Sequence, residues 1–228
     1  IVKRILESNK DRNKIFDKAI DGCVFVHPDT KKSNKKNLVQ GKLFERIKDL
    51  DDIPSPYLNG MLDKFFDGKL TPFIETNRGC PFTCSFCHTG SNFYHKLNKF
   101  SEDRVRNEIE YIGKRAQKLG ITNLHIADVN FGMYPQDRKT CEMLVRSREK
   151  YNWPLQAMAT TGKNSKERVM EITSILGDMF EVNMSMQSMD AQVLKNISRE
   201  NIKLDHMLAI NDKLLAEGRS TKGELILP

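Results

Sequence analysis

From about residue 70 the hydrophobic pattern of the chain switches regularly between two periods. Short apolar runs at 72–76 (PFIET), 123–128 (NLHIAD), 155–160 (LQAMAT), 180–186 (FEVNMSM) and 223–227 (GELIL) predict β-strands. The intervals carry helical spacing at 101–120, 136–150, 165–176, 190–197 and 204–217. The first of these helices begins with Ser101 as N-cap and stops at Gly120, and it places Val105, Ile109, Ile112 and Ala116 on one face. Strand and helix alternating in this way predict a parallel α/β architecture with right-handed crossovers, either an open sheet or the arc of a barrel. In both, the chemistry belongs at the carboxyl ends of the strands. Met179, Met184, Met186 and Met189 are read as adaptable core filler beside the fourth strand.

The first fifty residues have a different character. They open on a helix-like stretch, give one apolar strand (CVFV, 23–26) and a polar loop, and then reach LDDIPSPYLNG (50–60), where two prolines punctuate the chain. The expected organisation is therefore the tail of an upstream domain over 1–50, a linker over 51–69 and a core over 70–228. ELILP (224–228) reads as a buried strand followed at once by the last residue, so the core is expected to be truncated at its fifth strand.

At 228 residues, with 39% hydrophobic and 29% charged residues, the chain can bury a substantial core. No apolar run approaches the roughly 18 to 20 residues that span a bilayer, and the N-terminus has no signal-peptide apolar region. The net charge of +7 is unevenly spread, because residues 1–50 hold 13 Lys and Arg against 7 Asp and Glu, which accounts for +6 of it. Its densest part, KKSNKK at 31–36, has no interleaved aromatics and reads as a solvated loop; a nucleic-acid partner is not expected. Five cysteines, an odd number, fit a reducing, cytoplasmic setting.

Three of those cysteines fall within RGCPFTCSFCHTG (78–90) as Cys80, Cys84 and Cys87, spaced C-x3-C-x2-C directly after a predicted strand. A structural zinc site wants four ligands, usually as two Cys pairs, and no second pair exists here. His88 adjoins Cys87 and is badly placed to reach the same metal, while Cys23 and Cys141 are distant in sequence. An electron-transfer cluster would also want four thiolates. Three thiolates on a cubane leave one iron open to a substrate or cofactor. A zinc knuckle or a chance grouping is the structural alternative.

This spacing, with the aromatic Phe86 just before the last cysteine, resembles the signature of the radical S-adenosylmethionine (radical SAM) superfamily. The resemblance implies a partial (β/α) barrel and a [4Fe-4S] cluster on Cys80, Cys84 and Cys87. The open iron then chelates S-adenosylmethionine (SAM), with Phe86 near the adenine. MSMQSMDAQVLKNISREN (184–201) is similar to the family's fourth-strand segment, which implies Gln187 at the ribose and Arg199 at the carboxylate. An Arg fork suits a carboxylate, and a Gln both donates to and accepts from a ribose. Without the family, these two are a polar strand end and a surface helix residue. IADVNFG (126–132) stands where many members have a Gly-Gly-Glu-like motif, so Asp128 or Asn130 is the candidate for the methionine amino group. GELILP resembles the start of the fifth-strand motif.

ADVNFG and DLDDIPSPYL also resemble the subgroup that carries an N-terminal cobalamin-binding domain. None of His27, His88, His95, His125 and His206 lies in a D-x-H-x-x-G context, so cobalamin, where used, is expected through a domain outside these residues. Thr160, Thr161 and Lys163, in TTGKNS at the end of the third strand, line the substrate pocket in one reading; in the favoured one they form an ordinary turn leading to an N-cap at Ser165. The implied activity is reductive cleavage of SAM to a 5'-deoxyadenosyl radical that acts on an unknown substrate, with an electron donor such as flavodoxin or ferredoxin. A cobalamin-dependent methyltransferase is the enzymatic alternative. A non-catalytic zinc or iron–sulfur nucleic-acid module on the basic N-terminal segment is the rival from another class.

Overall fold

The computed structural model describes residues 1–28, 37–162 and 165–226; the basic run 31–36 and Lys163 lie outside the described residues. The chain divides into two compact units, Ile1–Ile47 and Lys48–Pro228. In the first, helix α1 (Val2–Glu7) is followed by α2 (Arg12–Ile15), whose N-cap Asp11 accepts from the Asn13 amide at 3.0 Å. Strand β1 (Val24–Val26) pairs antiparallel with β2 (Leu38–Gln40), an unforeseen strand, and Phe25 packs on Phe16 with ring centroids 5.0 Å apart.

The second unit is built on a five-stranded, wholly parallel sheet. Its strands, in spatial and chain order, are β3 (Phe73–Ile74), β6 (Asn123–Phe131), β7 (Gln156–Thr161), β8 (Phe180–Gln187) and β9 (Thr221–Leu225). Between β3 and β6 lie the short antiparallel pair β4 (Asn77–Arg78) and β5 (Asn98–Lys99), then helix α3 (Glu102–Leu119). Helices α4 (Pro135–Tyr151) and α5 (Lys166–Leu176) follow β6 and β7; α6 (Ala191–Asn196) and α7 (Leu204–Ala216) lie between β8 and β9. This is the α/β arrangement of a partial (β/α) barrel.

One face of the sheet is covered by helices. Leu124 and Ile126, Ala157 and Ala159, and Val182 and Met184 meet Ile109 and Ile112 of α3, Leu144 of α4, Ile172 of α5 and Ile210 of α7 in one apolar core. On the other face His125, Met158, Thr160, Asn183 and Ser185 are exposed or half-buried. The capping signals of α3 work as expected: Ser101 accepts from the Arg104 amide at 3.1 Å, and Gly120 ends the helix in a left-handed conformation. Gly113 lets α4 approach, since a Cβ there would lie 2.8 Å from the Ser147 hydroxyl and from the Tyr151 ring.

The PSPY stretch is packed onto this unit. Ser55 donates to Glu108 at 2.5 Å, and Glu108 also accepts from Arg104, whose guanidinium reaches the Ile53 carbonyl at 2.9 Å. The Tyr57 hydroxyl donates to the Phe73 carbonyl at 2.8 Å and accepts from the Phe73 amide at 3.0 Å, satisfying both groups of the edge strand β3. Residues expected to act as a linker thus shield the sheet edge.

Other departures are local. β3 is shorter than expected because the chain leaves the sheet at Thr76 and Asn77, and β6 runs on to Phe131. β9 starts two residues early. Met179, Met184 and Met186 are buried as anticipated, but Met189 lies beyond the end of β8 and is 58% exposed, so it fills no core. Ser165 holds the N-cap position of α5 in a left-handed conformation, and its side chain makes no capping bond.

Candidate functional site

The three cysteines lie on the loop that β4 and β5 close at its base. Gly79 sits at φ +135°, with its missing Cβ 2.5 Å from the Lys96 carbonyl oxygen, so the two sides of the loop meet there. The Cys80 amide donates to the Tyr94 carbonyl at 2.8 Å and the Cys87 amide to the Cys84 carbonyl at 3.1 Å. The Gly90 amide donates to the Cys87 carbonyl at 3.0 Å, and a Cβ on Gly90 would lie 2.3 Å from the Cys84 carbonyl oxygen. The loop is anchored to the end of α6 by the Ser85 amide, which donates to the Ile197 carbonyl at 3.0 Å.

None of the three is in a disulfide; Cys80 and Cys84 are 1% and 2% exposed, and Cys87 is half-buried with its sulfur 3.2 Å from the Thr89 hydroxyl. His88 is engaged with the Tyr94 hydroxyl at 2.8 Å. Among the described residues no three His, Cys, Asp or Glu side chains are drawn together tightly enough for one metal ion, so the fit rests on donor chemistry and loop architecture. Three soft thiols, on a loop narrowed by two glycines, fit an iron–sulfur cluster and do not fit a hard cation.

The second wall of the site comes from an irregularity in β6. Ile126 is in register with Ala159 of β7 and Phe131 with Thr161, so β6 spends five steps where β7 spends two. The three extra residues turn Asp128 and Asn130 away from the ladder. Both are buried, yet their situations differ. The Asp128 carboxylate accepts from the Thr76 amide at 2.7 Å, the Thr76 hydroxyl, the Asn77 amide at 3.4 Å and the Asn77 side chain at 2.7 Å. It is fully occupied in holding the corner from which the cysteine loop starts. Asn130, 1% exposed, donates its side-chain amide to the Cys80 sulfur at 3.3 Å, and its Oδ1 has no partner among the described residues.

The electrostatics of this wall follow from burial. Asp128 is pushed up to about 7, chiefly by burial and also by Asp137, against the hydrogen bonds from Thr76 and Asn77. Asp137 accepts from the Gly132 amide at 2.7 Å and the Tyr134 amide at 3.0 Å, and burial pushes it up to about 6. Tyr134, whose buried hydroxyl has no partner among the described residues, is pushed up to about 12 by burial first and then by the charges of Cys80, Asp137 and Asp128.

The third wall is the end of β8. One extra residue in β8 opposite β9 leaves Gln187 at φ +63°, where its carbonyl accepts from the Ile226 amide at 2.8 Å. Arg199 is 6% exposed, donates to Asn201 at 2.7 Å and to the Ser185 carbonyl, and lies with its guanidinium carbon 5.9 Å from the centre of the Phe86 ring. Asn201 in turn donates to the Met186 carbonyl at 2.7 Å and the Ser188 carbonyl at 3.0 Å. The expected residues Phe86 and Arg199 are thus brought together, as are Cys80 and Asn130. Thr160 and Thr161 line a small cavity with Met184, Ser185, Met186 and Asn201 at the ends of β7 and β8. Sequence reasoning missed Thr76, Asn77, Tyr134 and Asn201; for the first three the available signal was their place just after β3 and β6, and Asn201, between α6 and α7, gave none.

This fold, with three thiols at the mouth of a parallel sheet, defines a class. The radical SAM superfamily profile matches residues 74–228, and the chain belongs to that superfamily. Membership implies a [4Fe-4S] cluster and SAM as cofactors. The chain is 36% identical over 198 residues to the cobalamin-dependent radical SAM methyltransferase TokK of Streptomyces tokunonensis. It is 33% identical over the same length to 2-(S-pantetheinyl)-carbapenam-3-carboxylate methyltransferase of Streptantibioticus cattleyicolor. Each alignment covers 83% of this chain and 28% of the relative, so the chain spans less than a third of the length of these proteins. Among solved structures, the cobalamin-dependent SAM radical enzyme OxsB superposes with a TM-score of 0.64 at 15% identity, over 99% of this chain and 31% of that one. The radical SAM methyltransferase TsrM from Kitasatospora setae gives 0.54 at 16% identity, over 68% and 30%. These two likenesses concern the fold alone.

Proposed function

We propose that the chain is the cluster- and SAM-binding part of an enzyme that cleaves SAM reductively and acts on a further substrate through the radical produced. The observation that carries this reading is the three-thiol loop, with Cys80 and Cys84 buried, at the carboxyl ends of the parallel strands. When bound, the cluster and SAM supply one-electron cleavage of the cofactor's carbon–sulfur bond. The chain's own residues do the rest. Cys80, Cys84 and Cys87 would hold three irons. Arg199, its guanidinium held by Asn201 and the Ser185 carbonyl, would pair with the methionine carboxylate, and Gln187 would meet the ribose. Phe86 would cover the adenine. Of the two candidates for the amino group, Asn130 is favoured because its Oδ1 has no partner among the described residues, whereas both oxygens of Asp128 are taken.

The named activities of TokK and of the carbapenam methyltransferase favour a specific form of this reading, methyl transfer that depends on cobalamin held by a domain outside these residues. The first fifty residues fit the tail of such a domain, with 51–69 leading into the core at 70–228. A small reductant such as flavodoxin or ferredoxin, in the cytoplasm, would supply the electron.

Anaerobic iron–sulfide reconstitution, followed by electron paramagnetic resonance (EPR) of the dithionite-reduced protein with and without SAM, tests the reading. A cubane signal that changes on adding SAM is expected, and Cys84→Ala should abolish it. Zinc in place of iron, or a cluster signal indifferent to SAM, would overturn it. Corrinoid co-purifying with the longer protein would support the methyl-transfer form.

A further inference from the structure

Resting on that reading, we propose that Asn130 is a positioning residue for the cluster: its side-chain amide donates to the Cys80 sulfur and so raises the cluster's reduction potential.

The bond runs from Asn130 Nδ2 to Cys80 Sγ over 3.3 Å, and both residues are 1% exposed, so water does not compete for the sulfur. A ligating thiolate carries more negative charge when the cluster is reduced than when it is oxidised. An N–H aimed at it therefore stabilises the reduced form preferentially, the lever by which hydrogen bonds to sulfur set iron–sulfur potentials. Placement of the donor depends on the three extra residues of β6, which sit between Ile126 and Phe131 and carry Asn130 off the ladder. A purely structural buried amide would have both ends satisfied, yet Asn130 spends its donor on Cys80 and leaves Oδ1 without a partner among the described residues. The same side chain can thus donate to the cluster ligand and accept from the cofactor's amino group. The two roles separate experimentally, because the first acts without SAM.

The test is a mediated redox titration of the reconstituted full chain without SAM, followed by EPR. Asn130→Leu, which removes the donor, should shift the midpoint to more negative potential. Asn130→Asp, of the same shape and titrated at alkaline pH so that its buried carboxyl is ionised, should shift it further the same way. Iron content per chain reports separately whether the cluster assembles. An independent check uses unsubstituted protein whose asparagine side-chain amides carry nitrogen-15: pulsed EPR of the reduced cluster should show coupling to that nucleus. Unchanged midpoints in a variant that holds its cluster, or no nitrogen-15 coupling in the unsubstituted protein, would overturn the proposal and leave the radical SAM reading intact. Failure of the unsubstituted protein to take up a cluster would overturn both.

Discussion

On the helix-covered face of the sheet, Leu124, Ile126, Ala157, Ala159, Val182 and Met184 alternate with the pleat and pack against four helices, while backbone groups are spent in regular ladders and helices. At the rim, a few residues along the same strands, the ladders break. β6 gains three residues, β8 gains one, and backbone amides of Thr76, Asn77 and Gly132 are satisfied by carboxylates. Gln187 and Ser198 take left-handed conformations, and buried atoms of Asn130 and Tyr134 go without partners among the described residues. The first region maximises apolar contact at low strain. The second accepts irregular backbone and unsatisfied polar atoms, the pattern found where side chains are held for chemistry. The contrast implies that substitutions on the face damage stability and leave the cluster site intact, whereas substitutions at the rim do the reverse.

The largest loss of stability should come from the face. Trp153 is fully buried in the core and donates its indole N–H to the Asn123 carbonyl at 3.3 Å. Trp153→Ala should cost about 3 to 5 kcal/mol in denaturant unfolding, with the iron content of the folded fraction unchanged. Next comes Asp128, which joins the two regions. Asp128→Ala leaves the Thr76 and Asn77 amides without their acceptor, so a loss of about 1 to 3 kcal/mol is expected together with poorer iron retention. Asp128 also gives a pH signature. Burial raises its pKa in the folded chain from 3.8 to about 7, so the folded form binds the proton more tightly than the unfolded one. The resulting stabilisation is present in acid and is lost as pH rises from about 4 through about 7. Asp128→Asn should flatten that slope, leaving the smaller contribution of Asp137 at about 6. An unchanged slope between pH 4 and 7 would show that the carboxylate is not buried as described.

A smaller effect on stability, and a larger one on the cluster, is expected at Gly90. Alanine there would place a Cβ 2.3 Å from the Cys84 carbonyl oxygen, forcing apart the two cysteines whose backbones meet at this turn. Gly90→Ala should lower iron per chain after reconstitution to a small fraction of the unsubstituted value, with unfolding little changed because the loop lies outside the core. Full iron content in this variant would show that the turn adapts freely.

Sequence periodicity carried the face well, because burial against helices imposes the two spacings that strands and helices obey. Ser101, Gly120, Val105, Ile109, Ile112 and Ala116 all stand where the pattern placed them. The cysteine loop stood out for another reason: three cysteines at C-x3-C-x2-C are rare enough to be singled out without structure. What stayed hidden is the rim. Nothing in IADVNFG marks three residues as extra to the ladder, so the division of labour between Asp128 and Asn130 could not be read. Thr76, Asn77 and Asn201 are ordinary polar residues whose importance arises only from long-range partners, 52, 51 and 15 positions away. Tyr57 is similar, since a tyrosine in a proline-rich stretch carries no sign that it caps an edge strand 16 positions on.

The finest separation of the two regions is offered by Arg199. Its side chain is tied down on the protein side by Asn201 and the Ser185 carbonyl, and its guanidinium lies beside Phe86. Lysine keeps the charge but not the planar fork, so it cannot hold both partners and still face a carboxylate with paired donors. Arg199→Lys should therefore cost about 1 kcal/mol of stability, a typical single hydrogen bond. SAM affinity should weaken about tenfold, or about 1.4 kcal/mol, measured by titration calorimetry on the reconstituted protein. Iron content should not change, because no bond from Arg199 to the cysteine loop needs to break. Equal SAM affinity in the two proteins would mean that Arg199 only ties the segment between α6 and α7 to the end of β8. A parallel loss of iron would mean that the rim is one cooperative unit, in which the cofactor wall and the cluster loop cannot be perturbed separately.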